Sequence, residues 1–265
     1  MPPPNLPDTP QTRLDMAAFQ ESARSLDRGV GAVLDALDAE GLTENTLVIC
    51  TTDHGLAFPG AKATLYDRGL GVMLILRGPG GFSGGRAVDA LVSHIDLFPT
   101  VCDLVGAERS QWLQGETLLP LVNGEAEEVR DTLFAEKTYH VAYEPERCAR
   151  THRWKFIRRF DEEHPTPVIA NIDDGPSKEV VLSNGWAERP MPAEQLYDLL
   201  HDPNEAHNLA GDAAYAEVLD EMRGRLEGWM IETEDPLLDG PVSAPEGAEI
   251  NGRDQLSPND PTTVV

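Results

Sequence analysis

The chain reads as an α/β protein in which a partial sheet with flanking helices is followed by a smaller α+β part. Three observations predict this. Met16, Phe19, Ala23, Leu26, Val30, Val33 and Leu37 recur at alternating steps of three and four, the period of an amphipathic helix. Two short apolar runs follow, Thr46 to Thr51 and Val72 to Leu76, each with the look of a strand buried on both faces of a parallel sheet. From Arg130 to Phe160 the pattern turns to β-rich alternation.

Taken in order, residues 1 to 7 are a Pro-rich extended lead-in. Asp8 or Thr9 caps a helix with Pro10 at its first position, and Gly41 stops it after Glu40. Ser93 to Thr100 opens a second helix, with Asp96 as its cap, Pro99 in its first turn and Gly106 as its stop. Gly115 to Leu121 is a turn into a short helix. Leu133-Phe134, Trp154 to Ile157 and Gln195 to Leu199 are strands, and residues 161 to 195 form a long Pro-, Asp- and Gly-rich loop. Ala213 to about Glu232 is a helix with Val218, Met222, Leu226, Trp229 and Met230 on one face. Beyond Pro236 large apolar residues are scarce, which predicts a disordered acidic tail.

Composition narrows the function. Forty-six acidic against 21 basic residues give a formal charge of −25, which argues against nucleic acid or an anionic membrane as partner. Only Lys62, Lys137, Lys155 and Lys178 are lysines, and this excess of carboxylate suits a halophilic protein in high salt. Cys50, Cys102 and Cys148 are widely spaced and read as free thiols. Met1-Pro2-Pro3-Pro4 has neither the basic nor the apolar region of a secretory signal, so a soluble, cytoplasmic chain is expected while the compartment of any longer form stays unknown.

The chemistry concentrates after the first strand, at Asp53-His54-Gly55, with Lys62 the only cation between Asp53 and Arg68. A carboxylate and an imidazole side by side at a strand end can reach one cation, and an amine nearby suits an anionic substrate. The tripeptide alone also fits an Asp capping a turn with His packed against it.

The stretch T-T-D-H-G, then F-P-G-A-K-A-T-L-Y-D-R-G, resembles the second metal-binding segment of the sulfatases of the alkaline phosphatase superfamily. The F-P-x-x-K spacing is most similar to the sulfamidase-like (heparan N-sulfatase-like) subgroup. S-H-I-D-L-F-P-T, and Q-L-Y-D-L followed by D-P-N-E and Asn208-Leu209-Ala210, are similar to further sulfatase segments. The resemblance implies a partial alkaline-phosphatase-like sheet with a smaller C-terminal α+β subdomain. It implies that Asp53 and His54 bind one Ca2+ and that Lys62 touches the sulfate. In E-K-T-Y-H-V-A-Y-E-P-E-R-C-A-R it implies that His140, Tyr143 and Arg147 recognise the rest of a sulfated small molecule or saccharide. Read without the family, those arginines pair equally well with surface carboxylates. His94 is expected to be a packed histidine.

The same family uses a formylglycine nucleophile made in a C/S-x-P/A-x-R motif, and that motif is missing here. The resemblance covers about residues 5 to 235 and matches only the C-terminal portion of a sulfatase. The expected organisation is 1–125 as part of the catalytic α/β domain, 126–235 as the C-terminal subdomain and 236–265 as tail. The expected activity alone is negligible, with a separate N-terminal sulfatase half as implied partner. Two other readings stay open. One is a phosphoesterase or phosphomutase of the same superfamily, with zinc or manganese. The other is a non-catalytic, partner-completing module.

Overall fold

The computed structural model describes all 265 residues. In chain order the elements are α1 (Pro10–Ala39), β1 (Val48–Thr51), α2 (Asp67–Leu70), β2 (Leu74–Arg77), α3 (Leu97–Val105), α4 (Leu119–Asn123), β3 (Leu133–Tyr139), β4 (Tyr143–Arg150), β5 (Trp154–Arg159), α5 (Pro176–Ser183), β6 (Glu194–Asp198), α6 (Ala216–Glu232), β7 (Glu249–Ile250) and β8 (Thr263–Val264). They group into two compact units that interleave in sequence. One is made of residues 1–22, 53–72 and 134–265, the other of residues 23–52 and 73–133.

Local rules explain most boundaries. Thr9 caps α1 through its Oγ1, which accepts the Thr12 N–H at 3.2 Å, and Pro10 takes the first helical position as expected. Gly41 ends the helix in the left-handed conformation, φ +67°. Gly106 does the same for α3. Ser93 and Asp96 form a reciprocal cap before α3, and the Asp96 carboxylate also takes the Glu116 N–H at 2.8 Å and pairs with Arg130. His94 is packed, its Nε2 2.7 Å from Thr51 Oγ1.

In the 23–52/73–133 unit, β1 and β2 form a two-stranded antiparallel sheet in the register Ile49↔Leu76 and Cys50↔Ile75. This corrects the expectation of parallel strands buried on both faces. Both strands alternate half-buried and exposed positions, and no residue of either is buried. An apolar run reports that polar positions are missing, not what covers them. Here each strand has a single neighbour, and Ile75 is 56% exposed. On α1, Leu26 and Val33 are likewise 63% and 62% exposed.

In the 1–22/53–72/134–265 unit, β3-β4-β5-β6 is a four-stranded sheet whose β4–β5 and β5–β6 pairs are antiparallel. Leu219, Met222, Leu226 and Met230 of α6 pack on Ala149, Phe156 and Leu196. The opposite face presents Cys148, Ile157 and Tyr197 to Leu65, Tyr66 and Leu70, so the stretch 53–72 covers that side. β4, six of whose eight residues are buried, escaped the sequence reading because its E-P-E-R core looks solvated. The expected loop 161–195 also contains α5.

The expectation of a disordered tail is corrected as well. Leu237 is buried in the α6 core, β7 pairs with β8, and Asn251 is buried. Arg253 donates to Asp161 at 2.5 Å. A few apolar residues such as Leu237 and Val242, together with polar contacts such as Arg253–Asp161, hold this segment, and composition does not reveal that.

Candidate functional site

The segment after β1 is pinned by backbone contact. The Gly55 N–H donates to the Gly69 carbonyl at 2.9 Å, and a Cβ on Gly55 would lie 1.9 Å from the Arg68 carbonyl oxygen. Close approach of two backbones, rather than a sharp turn, is what requires glycine there.

Asp53 and His54 stand beside this contact. His54 Nδ1 lies 2.7 Å from the Gly55 carbonyl oxygen, which can only accept, so Nδ1 carries the proton and Nε2 of the neutral ring keeps its lone pair. That Nε2 is 3.6 Å from Asp53 Oδ2. Ligands about 2.4 Å from one hard cation sit roughly 3.4 Å apart along an edge of its shell, so the two donors fit one ion. The Asp53 side chain is 88% exposed and free to bind. Two donors are fewer than the roughly six to eight that a calcium ion takes. No group of three or more His, Cys, Asp or Glu in the chain is placed to hold a metal.

Lys62 points its ammonium at Asp173, Nζ to Oδ2 2.7 Å. Asp173 and Asp174 fall in the stretch expected to be a Pro-, Asp- and Gly-rich loop, where nothing in the sequence assigns them a partner. Instead Lys62 meets the first and Lys178 the second, at 2.8 Å. His140 belongs to the same neighbourhood. Partial burial lowers its imidazole pKa, Lys62 adds to the shift, Asp173 opposes it, and Lys137 and His54 lower it further. Asp53 and His54 thus stand side by side, Lys62 meets Asp173, and the charges of Lys62, Asp173 and His54 act on His140.

Tyr143 and Arg147 point elsewhere. Side chains alternate along β4, so Tyr143, Arg147 and Ala149 face α6 and the C-terminal segment, whereas Glu144, Glu146 and Cys148 face the 53–72 stretch. The Tyr143 hydroxyl accepts the Val242 N–H at 3.3 Å. Arg147 is 1% exposed and forms a two-point pair with Asp235, Nη2 to Oδ1 3.0 Å. Its Nη1 donates to the Lys137 and Glu146 carbonyls at 3.0 and 2.9 Å. Every donor is used inside the protein, which leaves no fork for a substrate.

Lys62 lines a cavity of about 1010 Å³ together with Tyr66, Arg68, Lys137, Glu144 and Gln195, and Asp53, His54 and His140 lie outside that lining. Most of its lining is apolar, with several prolines, and ion pairs stand in and beside it. Lys137 donates to Glu144 at 2.8 Å and lies 3.0 Å from Glu146. Burial pulls the Lys137 pKa down, but the two glutamates outweigh it and the net shift is upward. Lys155 bridges Asp67 and Glu205 at 2.6 and 3.0 Å, and Arg150 also pairs with Asp67. Cys148, buried beside them, has its thiol pKa pushed up to about 12 by burial and is no nucleophile at neutral pH. Sequence reasoning missed Lys137 and Asp173. Asp173 lies 111 positions from Lys62, beyond any local signal.

An open mixed α/β arrangement carrying an acid–imidazole pair beyond a strand end is the alkaline-phosphatase-like fold. The comparisons narrow it further. The sulfatase family model matches residues 3–107. N-sulphoglucosamine sulphohydrolase of Homo sapiens is 30% identical over 267 residues, covering 91% of this chain and 52% of that protein. An ulvan-active sulfatase of Formosa agariphila is 28% identical, over 86% of this chain and 40% of its own. A solved 2-O GAG sulfatase superposes with TM-score 0.68 at 26% identity, covering 92% of this chain and 49% of its own. The chain spans about half the length of the curated relatives it matches. No helix is long and apolar enough to cross a membrane.

Proposed function

We propose that this chain supplies half of a sulfatase active site acting on sulfate esters or sulfamates of sugars. In this reading Asp53 and His54 give two ligands to a calcium ion, Lys62 holds the sulfate, and His140 contacts the substrate beyond it. The observation that carries it is the His54 ring, fixed through Nδ1 so that Nε2 faces the Asp53 carboxylate. Calcium, when bound, would polarise the sulfate oxygens. The family resemblance, with sulfate oxygens joining the Asp53 carboxylate as hard donors, is what favours calcium over zinc. Names such as N-sulphoglucosamine sulphohydrolase among the relatives support a sulfated sugar as substrate. The family match over residues 3–107 supports reading 1–125 as the catalytic part; 126–235 is read as the C-terminal subdomain on the sequence resemblance alone, and residues 1–22 and 53–72 form one compact unit with 134–265.

The formylglycine nucleophile would come from elsewhere, because its motif is missing from these residues. A separate N-terminal sulfatase half is the partner this reading calls for, and the chain alone is inactive. Two donors where a calcium ion needs more support completion by such a partner. Tyr143 and Arg147 hold the C-terminal segment instead of substrate. The excess of carboxylates supports a high-salt setting.

Calorimetry with calcium, zinc and manganese tests the reading. Weak calcium binding that vanishes in Asp53→Asn and strengthens when a sulfatase N-terminal half is added is the expected outcome. Preference for zinc or manganese would instead favour a phosphoesterase or phosphomutase. Failure of every ion to bind, with or without the added half, removes the metal site.

A further inference from the structure

The C-terminal segment makes two sets of bonds that end next to the candidate site. The Asn251 N–H donates to the Val141 carbonyl at 2.8 Å, one residue from His140. Ser257 Oγ and Asn259 Nδ2 both donate to Asp174 Oδ2, the latter at 3.1 Å, one residue from Asp173. The other Asp174 oxygen accepts from Lys178, which also donates to the Ile172 carbonyl at 2.8 Å. Asn171 closes the arrangement, its Oδ1 accepting the Val141 and Ala142 N–H groups at 3.0 and 2.9 Å. The turns bearing His140 and Asp173 are therefore tied to each other and to residues 251–259. The Lys178 ammonium, with Ser257 and Asn259 assisting, holds Asp174 down to about 2, so this anchor stays charged at neutral pH.

We propose that residues 251–259 are a clamp on the site, and that Asp173 is a positioning residue fixing the Lys62 ammonium. A lysine stem is flexible, and an amine left free would have to be ordered when an anion binds. Asp173 orders it beforehand while using one of its three N–H donors, leaving two for a sulfate. A site held by supporting side chains in this way is set before its ligand arrives. The catalytic meaning rests on Lys62 being the sulfate-holding amine. The clamp itself rests only on the bonds above.

Amine acylation of the full chain, read lysine by lysine by mass spectrometry, tests both. Asp173→Asn is expected to raise Lys62 acylation about three- to five-fold, the scale of one partly exposed ion pair. Ser257→Ala with Asn259→Ala is expected to raise it about two-fold by loosening the turn. Asp173→Glu should restore most of the protection, and Lys137 and Lys155 should not change, which a general loosening of the fold would not allow. Equal Lys62 rates in wild type and Asp173→Asn overturn the positioning role. A tail variant indistinguishable from wild type overturns the clamp. Inorganic sulfate should slow Lys62 acylation in the wild type. If sulfate does nothing even with a sulfatase N-terminal half added, while the variants still unmask Lys62, the clamp stands and the sulfatase reading fails.

Discussion

The two larger sheets differ in composition and reach opposite fates: the more apolar pair, Val48–Thr51 with Leu74–Arg77, is the less buried, and the charge-rich four-stranded sheet is the more buried. The β1–β2 pair has no buried residue, and Ile75 is mostly exposed. The β3–β6 sheet is covered on one face by α6 and on the other by residues 53–72, and Phe156 and Leu196 are fully buried. A two-stranded sheet cannot cover itself, whereas four strands with a packed layer on each face can. Stability therefore resides around the four-stranded sheet, and so does the candidate site, whose Lys62 and His140 stand on segments it holds. The lesson is that apolar content makes a strand possible and its cover makes it stable.

The largest effect that tests this contrast is at Arg147. Arg147→Ala leaves the Asp235 carboxylate buried without its partner and should cost about 3–5 kcal/mol in urea unfolding. A loss under about 1 kcal/mol would mean that Arg147 is free for another role, as expected of an exposed pair. Next comes Leu226→Ala in α6, which opens the core against the sheet and should cost about 2–5 kcal/mol.

Acid should separate the sheets too. Burial raises the Asp67 pKa, but Lys155 and Arg150 outweigh it and hold it below the usual carboxylate range. Asp235 is likewise held low by Arg147 and the Leu237 N–H against its burial. A depressed carboxyl gives stability that is complete above the unfolded value, about pH 4, and lost as pH falls through the folded one. Glu146 and Glu205, raised by burial, act with the opposite sign, their share lessening as pH rises above about 4.5. Amide exchange below pH 4 should thus open β4 and β5 while leaving the relative protection of β1–β2 unchanged. Loss of protection first in β1–β2 would reverse the assignment. The smallest effect is Ile75→Lys, which should leave stability within about 0.5 kcal/mol while reducing self-association in light scattering.

Much of this was legible along the chain. The α1 cap and stop, α3 with Asp96 and Gly106, and the inward face of α6 follow from period and capping chemistry, which act within a few residues. The sulfatase resemblance was carried by the D-H-G stretch itself, and the family match and relatives bear it out. The pairing of β1 with β2 was not legible, because an apolar run looks the same under any cover.

What the sequence alone determined is where α1, α3 and α6 lie, which family the chain resembles, and that an acid and an imidazole follow the first strand. Tertiary structure decided which face of β4 receives Arg147, that Lys62 is held by Asp173, and that Leu237, Asn251 and Arg253 anchor the C-terminal segment. The physical reason is reach. Periodicity and capping are written in neighbouring residues, whereas a pairing across 111 positions depends on strand register, and a one-residue slip would send Arg147 to the other face.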